Sequence, residues 1–335
     1  MCPAILWAMK TSWLSLIASA IILSSITTEV FSADPVNKAI AGVWNLTEIK
    51  KLHTGFKFTE GPAVDAEGSV YFADIPNDRI HKTDTSGKLT TFLENSKKCN
   101  GLMIDSAGKI IACQGGEGRI IAIDSKTKAI TGVATAYNNK PFNSPNDLVL
   151  SKEGGVFFTD PKFGEGETTQ DKMAVYYVKA GTVTRLIDNL QRPNGVLLSP
   201  DESQLYVLPS GQPEVMVYPI VSPGVLGEAR VFCKLEQADP AKPRGGDGLT
   251  VDYRGNLYLT APGLKAIQVV SAEGKLLGLI YFPEAPSNCT FGGKDLRTLF
   301  VTAQTSLYTT QMELVGHRFS PPKLKPSVKG SLARR

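Results

Sequence analysis

One alternation of apolar and polar positions recurs along the chain: a short apolar run, a tight polar turn, then an apolar or aromatic run. The copies are AVDAEGSVYFAD (63–74), LMIDSAGKIIACQ (102–114), LVLSKEGGVFFTD (148–160), VLLSPDESQLYVLPS (196–210), LTVDYRGNLYLTA (249–261) and TFGGKDLRTLFVTA (290–303). Each predicts a β-hairpin, with alternating or β-branched strands around a Gly- or Asp-rich turn. Taking Tyr71, Ile111, Phe157, Tyr206, Tyr258 and Phe300 as equivalent gives spacings of 40, 46, 49, 52 and 42 residues, which suit one four-stranded propeller blade. Six copies therefore predict an all-β, six-bladed β-propeller. Stretches such as RIHKTD (79–84) and RIIAID (119–124) supply outer strands. After Ala303 only about one more strand pair fits, so the segment 43–58 is expected to join the last blade and close the ring, leaving no open edge.

The first 33 residues follow another pattern. Lys10 precedes an uncharged stretch, Thr11 to Thr28, and the small residues Ser32 and Ala33 precede Asp34. That order predicts a secretory signal peptide over 1–33, with an uncleaved N-terminal anchor as the rival reading. The propeller is assigned to 34–318 and a basic, Pro-containing tail to 319–335. The protein is expected to be secreted or periplasmic, with no stable membrane insertion after leader cleavage.

Charge narrows the partners. Of 335 residues, 36 are Lys or Arg and 32 Asp or Glu, and Lys323, Lys325, Lys329, Arg334 and Arg335 concentrate five positives in the tail. The body is near neutral and offers no electrostatic footprint for nucleic acid. Cys99, Cys113, Cys233 and Cys289 form no CxxC pair, which excludes zinc-ribbon and thioredoxin readings; four cysteines allow three pairings, or free thiols.

Counting five positions back from the hairpin-turn residues Asp65, Asp105, Ser151, Ser199, Asp252 and Gly293 lands on Glu60, Asn100, Asn146, Asn194, Asp247 and Asn288. All are polar, and Gly or Asp follows each of the first five. Inner strands line a propeller's channel, so one phase repeated in six blades predicts a ring of oxygen-bearing side chains on the axis. The plainer reading is that Asn-Gly, Asn-Asp and Asp-Gly start turns. Turn chemistry gives no reason for Glu60, however, and the coincidence of six favours a site. Two carboxylates with amide carbonyls suit a hard divalent cation, most simply Ca²⁺. GxSxG, Walker and HExxH patterns are absent, and His53, His81 and His317 lie off the axial phase. GGEG at 115–118 reads as a hairpin turn.

The phrases FTEGP (58–62), NGL (100–102), SPNDLVL (144–150), RPNGVLLSPD (192–201), GDGLTVD (246–252) and FGGKDLRTLFVT (291–302) together resemble the gluconolactonase, regucalcin and senescence-marker-protein family of six-bladed propellers. The resemblance implies a Ca²⁺-preferring axial site held by Glu60, Asn194 and Asp247, with Asn146 beside metal and substrate and Asn100 facing substrate; the axial ring itself adds Asn146 as a fourth metal candidate and Asn288 as a substrate-side candidate. It also implies hydrolysis of a small-molecule lactone, most simply a sugar lactone. Two departures stand out: Ser144 occupies a position where regucalcin-type members carry Arg, and CQGGEG (113–118) lacks the His of many bacterial gluconolactonases.

A lactone carbonyl gains negative charge during hydrolysis, which a cation can stabilise. Asp247 is the first candidate base and Asp147 the second, though Asp147 reads equally well as a turn residue bonding its own strand start. Asn146 and Asn100 are candidate donors to the oxyanion. Alternatives are a non-catalytic, NHL-like binding propeller, suggested by the 65–74 and 77–80 phrases, and a phosphotriester or aryl ester hydrolase using the same cage.

Overall fold

The computed structural model describes residues 35–164 and 166–319, so the predicted leader and the tail from Ser320 onward lie outside the described residues. The chain divides after Pro35, and every described strand belongs to the second unit.

Six antiparallel sheets follow one another along the sequence. Their first strands are Thr59–Val64, Cys99–Ile104, Leu148–Leu150, Pro193–Leu198, Leu249–Val251 and Pro286–Gly292. Each pairs with a second strand: Val70–Asp74, Ile110–Gln114, Gly155–Asp160, Gln204–Pro209, Leu257–Ala261 and Thr298–Ala303. These twelve strands are the six predicted hairpins. The first strand of each blade touches that of the next, and Pro286–Gly292 returns to Thr59–Val64, so six blades surround one axis. Blade 4 carries an extra short strand, Val225–Leu226.

The hairpin turns are held by their own polar residues. Asp65 Oδ1 accepts the N–H groups of Glu67 and Ser69, Asp105 those of Ala107 and Lys109, and Asp252 those of Arg254 and Asn256. Such Asx turns close a hairpin without help from distant residues, which is why they were legible locally.

Burial falls from axis to rim. Ile110–Gln114 and Gly155–Asp160 are buried throughout because neighbouring blades cover both faces, whereas the outer strand Leu89–Glu94 has no buried residue. Aromatic rings fill the gaps between blades: Tyr258 of blade 5 meets Phe291 of blade 6 edge-on at 5.0 Å. Truncating the fully buried Phe72 to Ala should cost about 3–5 kcal/mol.

Ring closure follows the sequence reading. Lys50–Thr54 pairs with Ser306–Gln311 and becomes the outermost strand of blade 6. Ahead of it, Trp44 is buried among blade 5 and 6 residues, its indole N–H within 2.9 Å of the hydroxyls of Thr47 and Thr310. At the other end Arg318 donates to the Asp65 carbonyl and Phe319 packs on the blade 3–5 core, so the folded body takes in Phe319. Cys99, Cys113, Cys233 and Cys289 are free thiols, and burial pushes Cys99 and Cys233 up to about 12, far from reactivity. Among the described residues no helix is long and apolar enough to cross a membrane.

Candidate functional site

The six axial residues sit where each blade's first strand begins. Pairing to the second strand is irregular between Glu60 and Ala63, Cys99 and Leu102, Pro193 and Gly195, and Pro286 and Asn288. In blades 3 and 5 regular pairing starts at Leu148 and Leu249, two residues after Asn146 and Asp247. A bulge re-aims a side chain, and the same irregularity at one phase in several blades turns polar residues toward one centre.

The glycines after the axial residues have a reason other than turn chemistry. A Cβ on Gly61 would lie 2.1 Å from the Asn100 carbonyl, on Gly101 2.6 Å from that of Asn146, on Gly195 2.4 Å from that of Asp247, and on Gly248 2.0 Å from the Asn288 side chain. Neighbouring blades approach too closely for any side chain there. The same approach forms Gly101 N–H to Asn146 carbonyl at 2.7 Å, Gly195 N–H to Asp247 carbonyl at 2.9 Å and Gly248 N–H to Ser287 carbonyl at 2.7 Å. Ser287 Oγ joins blade 6 to blade 1 by donating to the Thr59 carbonyl at 2.7 Å.

Glu60, Asn194 and Asp247 come together with Asn288 and Asp147. Asn288 Nδ2 donates to Glu60 Oε2 at 3.2 Å and lies 3.5 Å from Asp147 Oδ2. Burial, then the charge of Asp247, pushes Glu60 well above the usual carboxylate range. Asp247 is pushed up to about 7, mainly by burial and against the Asn194 amide, which favours its charged form. Asp147 also rises to about 7, through burial and the charge of Glu60. None of the ion pairs among the described residues involves these three.

Asn100 and Asn146 stand on the ring without a side-chain bond to that network, and Asn100 Oδ1 is buried with no partner. Asp247 and Asn100 keep some solvent exposure, while Glu60, Asn146, Asp147, Asn194 and Asn288 are buried. Asp147 does what a turn residue does, accepting the N–H of Leu148 at 2.9 Å, and its carboxyl also borders a cavity of about 700 Å³. That cavity runs from Asp147, Gly61 and Asn288 to the opposite face at Asp65, Lys82 and Arg318.

These donors fit a hard divalent cation. Glu60 and Asp247 are sheltered carboxyls with no cationic partner among the described ion pairs; the Asn288 and Asn194 amides touch them, and Asn100 Oδ1, at the same phase of the next blade, is buried and unpartnered. Among the described residues no three His, Cys, Asp or Glu side chains are spaced as a metal-ligand set, and a cation held here would draw on amide oxygens as well as carboxylates. Such a set suits Ca²⁺ better than zinc.

Several supporting residues lay outside the sequence reading. Asp74 accepts the N–H groups of Lys57 and Phe58, Gln114 donates to the Ser96 carbonyl, and Asp160 accepts the N–H groups of Asn143 and Ser144. Each ends a second strand and holds the loop that delivers its blade's axial residue. All three lie 14 positions after that residue, a phase that would have revealed them. His81, by contrast, is a packing residue, buried against Phe56 and Phe72.

A closed six-bladed β-propeller with an axial ring of carboxyls and amides defines the class. Within that class, the profile described as SMP-30/Gluconolactonase/LRE-like region matches residues 58–305, and the chain belongs to this family. It is 32% identical to a gluconolactonase of Zymomonas mobilis subsp. mobilis over 300 residues, covering 81% of this chain and 83% of that protein. The solved structure of a gluconolactonase from Xanthomonas campestris matches with TM-score 0.72 and 28% identity, over 79% of this chain and 89% of the other. Regucalcin from Agrobacterium tumefaciens, described as a calcium-binding protein, shares the fold with TM-score 0.71 at 21% identity, over 82% of this chain and 97% of the other.

Proposed function

We propose that this protein is a lactonase that depends on a divalent cation, Ca²⁺ by preference, and opens a small lactone, most simply that of a sugar acid. The observation that carries the reading is the sheltered Glu60–Asp247 carboxyl pair, flanked by amides and without a cationic partner among the described ion pairs. Family membership and similarity to gluconolactonases support the reaction class. A non-catalytic binding propeller has no use for two uncompensated carboxyls on its axis, since each costs stability when charged.

Glu60, Asn194 and Asp247 would hold the cation, with Asn146 beside them. When bound, it supplies Lewis-acid polarisation of the lactone carbonyl. Asp247, open to solvent on one side, accepts a proton from the attacking water as the water oxygen bonds the acyl carbon. Asp147 is the weaker candidate, because one of its oxygens is committed to Leu148 N–H. Asn100 and Asn146 amide N–H groups stabilise the oxyanion. Collapse breaks the ring C–O bond, the proton passes to the departing alkoxide, and the hydroxy acid formed ionises and releases acid. For the leader, export to the periplasm or exterior is the matching proposal.

The test is acid release from a panel of aldonolactones and acyl lactones, using metal-stripped protein with and without Ca²⁺. Calcium-dependent release is the expected result. Stoichiometric Ca²⁺ binding with no release from any lactone would overturn the lactonase reading and favour a phosphotriester, an aryl ester or a bound partner.

A further inference from the structure

Asn194 is buried, and its side chain meets Ser210 from the loop that follows the second strand of its own blade. Asn194 Nδ2 donates to Ser210 Oγ at 2.8 Å, and Ser210 Oγ donates to the Gly246 carbonyl at 2.9 Å. Backbone bonds fix the serine: its N–H reaches the Arg192 carbonyl at 2.9 Å, and the Gly246 N–H reaches the Pro209 carbonyl at 3.0 Å. Gly246 immediately precedes Asp247, so one hydroxyl joins the elements that carry two axial residues from neighbouring blades.

We propose that Ser210 is a positioning residue that sets the orientation of the Asn194 amide, so that Oδ1 rather than Nδ2 is presented to the axial cation. The inference rests on the metal-site reading above. An amide has one end that binds a hard cation, the oxygen, and one that repels it. A hydroxyl has a single proton. With that proton on the Gly246 carbonyl, Ser210 Oγ turns only lone pairs toward Asn194, and only the NH₂ end of the amide can face it. Flipping the amide would demand the same proton and strip the Gly246 carbonyl of its donor. The Asn194 amide also favours the charged form of Asp247, as an N–H donor does, so both of these contacts use the NH₂ end and leave Oδ1 for a ligand.

Blade 4 lacks the device used in blades 3, 5 and 6. In blades 3, 5 and 6 a threonine on the second strand, Thr159, Thr260 or Thr302, bonds the backbone of the axial segment; Thr260 Oγ1 accepts the Asp247 N–H at 3.0 Å and donates to the Gly248 carbonyl at 2.9 Å. At the corresponding place blade 4 has Leu208, whose side chain lies where a Cβ on Gly246 would fall, at 2.7 Å. The hydroxyl function has moved two residues on, and there it reaches the Asn194 side chain.

The experiment is calorimetric titration of Ca²⁺ into metal-stripped wild type, Ser210→Ala, Ser210→Cys and Ser210→Thr, and into Asn194→Asp with and without Ser210→Ala. Circular dichroism checks folding of each. Loss of the hydroxyl should weaken Ca²⁺ binding about 10–100-fold, the usual cost of losing a group that orients a metal ligand. Ser210→Cys should move in the same direction, and Ser210→Thr should stay close to wild type. In the Asn194→Asp background both terminal atoms are oxygens and orientation no longer matters, so adding Ser210→Ala should change Kd by no more than about twofold. An unchanged Kd for Ser210→Ala overturns the proposal alone. Equal losses in both backgrounds also overturn it, by showing a merely structural role. A wild-type protein that binds no divalent cation overturns the metal-site reading and this proposal together.

Discussion

Two glutamates show how one residue type is put to opposite uses. Burial opposes the charge of Glu284, but Ser306, Tyr308, Thr305 and Lys51 all donate to its carboxylate and hold it down at about 2. Glu60 is more deeply sheltered and faces the like-charged Asp247 and Asp147; it accepts two N–H groups, from Gly61 at 2.7 Å and from Asn288 at 3.2 Å, and its pKa is still driven up. The Glu284 carboxylate has its partners within the fold and ties the closing strand of blade 6 to its loops. The Glu60 carboxyl has two N–H donors but no cationic partner among the described ion pairs, which is what the proposed cation would supply. Deeper burial and a like-charged neighbour at Glu60, against several donors and a lysine at Glu284, separate the two acids.

The contrast can be broken most decisively at Asp247. Asp247→Asn keeps the volume and removes the base; kcat for lactone opening should fall by about 10²–10⁴-fold while the metal-free protein stays folded. Acid-release kinetics alongside thermal melts would check both halves. Activity at the wild-type rate would remove Asp247 from its assigned role.

The next effect is on pH dependence, where the two regions should carry opposite signs. Asp247 rises from an ordinary 3.8 to about 7, so its protonated form is favoured in the folded metal-free protein. Its contribution to stability is fully present below 3.8 and is lost as pH rises through about 7. Glu284 falls from an ordinary 4.5 to about 2, so its contribution is present above 4.5 and is lost only as pH falls through about 2. Because ligands must shed protons to bind a cation, the melting shift caused by Ca²⁺ should be small at pH 5 and grow toward pH 8. Melts across that range, with chelator and with Ca²⁺, would show it; a shift independent of pH would contradict the assignment.

Smaller effects belong to the structural side. Glu284→Gln turns an NH₂ group toward donors that now meet an oxygen, and should cost about 1–2 kcal/mol, a drop of about 2–4 °C in melting midpoint. Turnover per folded molecule should not change. Lys51→Met, at a half-exposed ammonium 3.1 Å from Glu284, should move the midpoint by only about 1 °C. A loss of turnover from either would mean that the closing strand and the axis are coupled.

Blade count and hairpin positions were legible because each rests on local chain geometry, and ring closure because too little chain follows Ala303 to complete the last blade, leaving the segment 43–58 to supply its outer strand. Asp65 and Ser69 close a turn four residues apart, and strand alternation needs only neighbours in sequence. The axial phase was legible for the same reason: a five-residue offset from each turn is preserved from blade to blade. The role of the glycines was not legible, since a dipeptide such as Asn100-Gly101 looks like turn chemistry until the Asn146 carbonyl is seen 2.6 Å from the missing Cβ.

By itself, then, the sequence determined the repeat, the propeller, its closure by the segment around Lys50–Thr54, and which six polar residues share one phase. Only the tertiary structure decided which of the six meet, and what each lacks. Asn288 and Glu60 are 228 residues apart in sequence and 3.2 Å apart in space. Ser210 finds its carbonyl partner on the next blade, at Gly246. Local patterning follows from dihedral preferences and periodicity, which act over a few residues. The pKa of a buried carboxyl and the orientation of an amide follow from distances across blade boundaries, which exist only once the ring has closed.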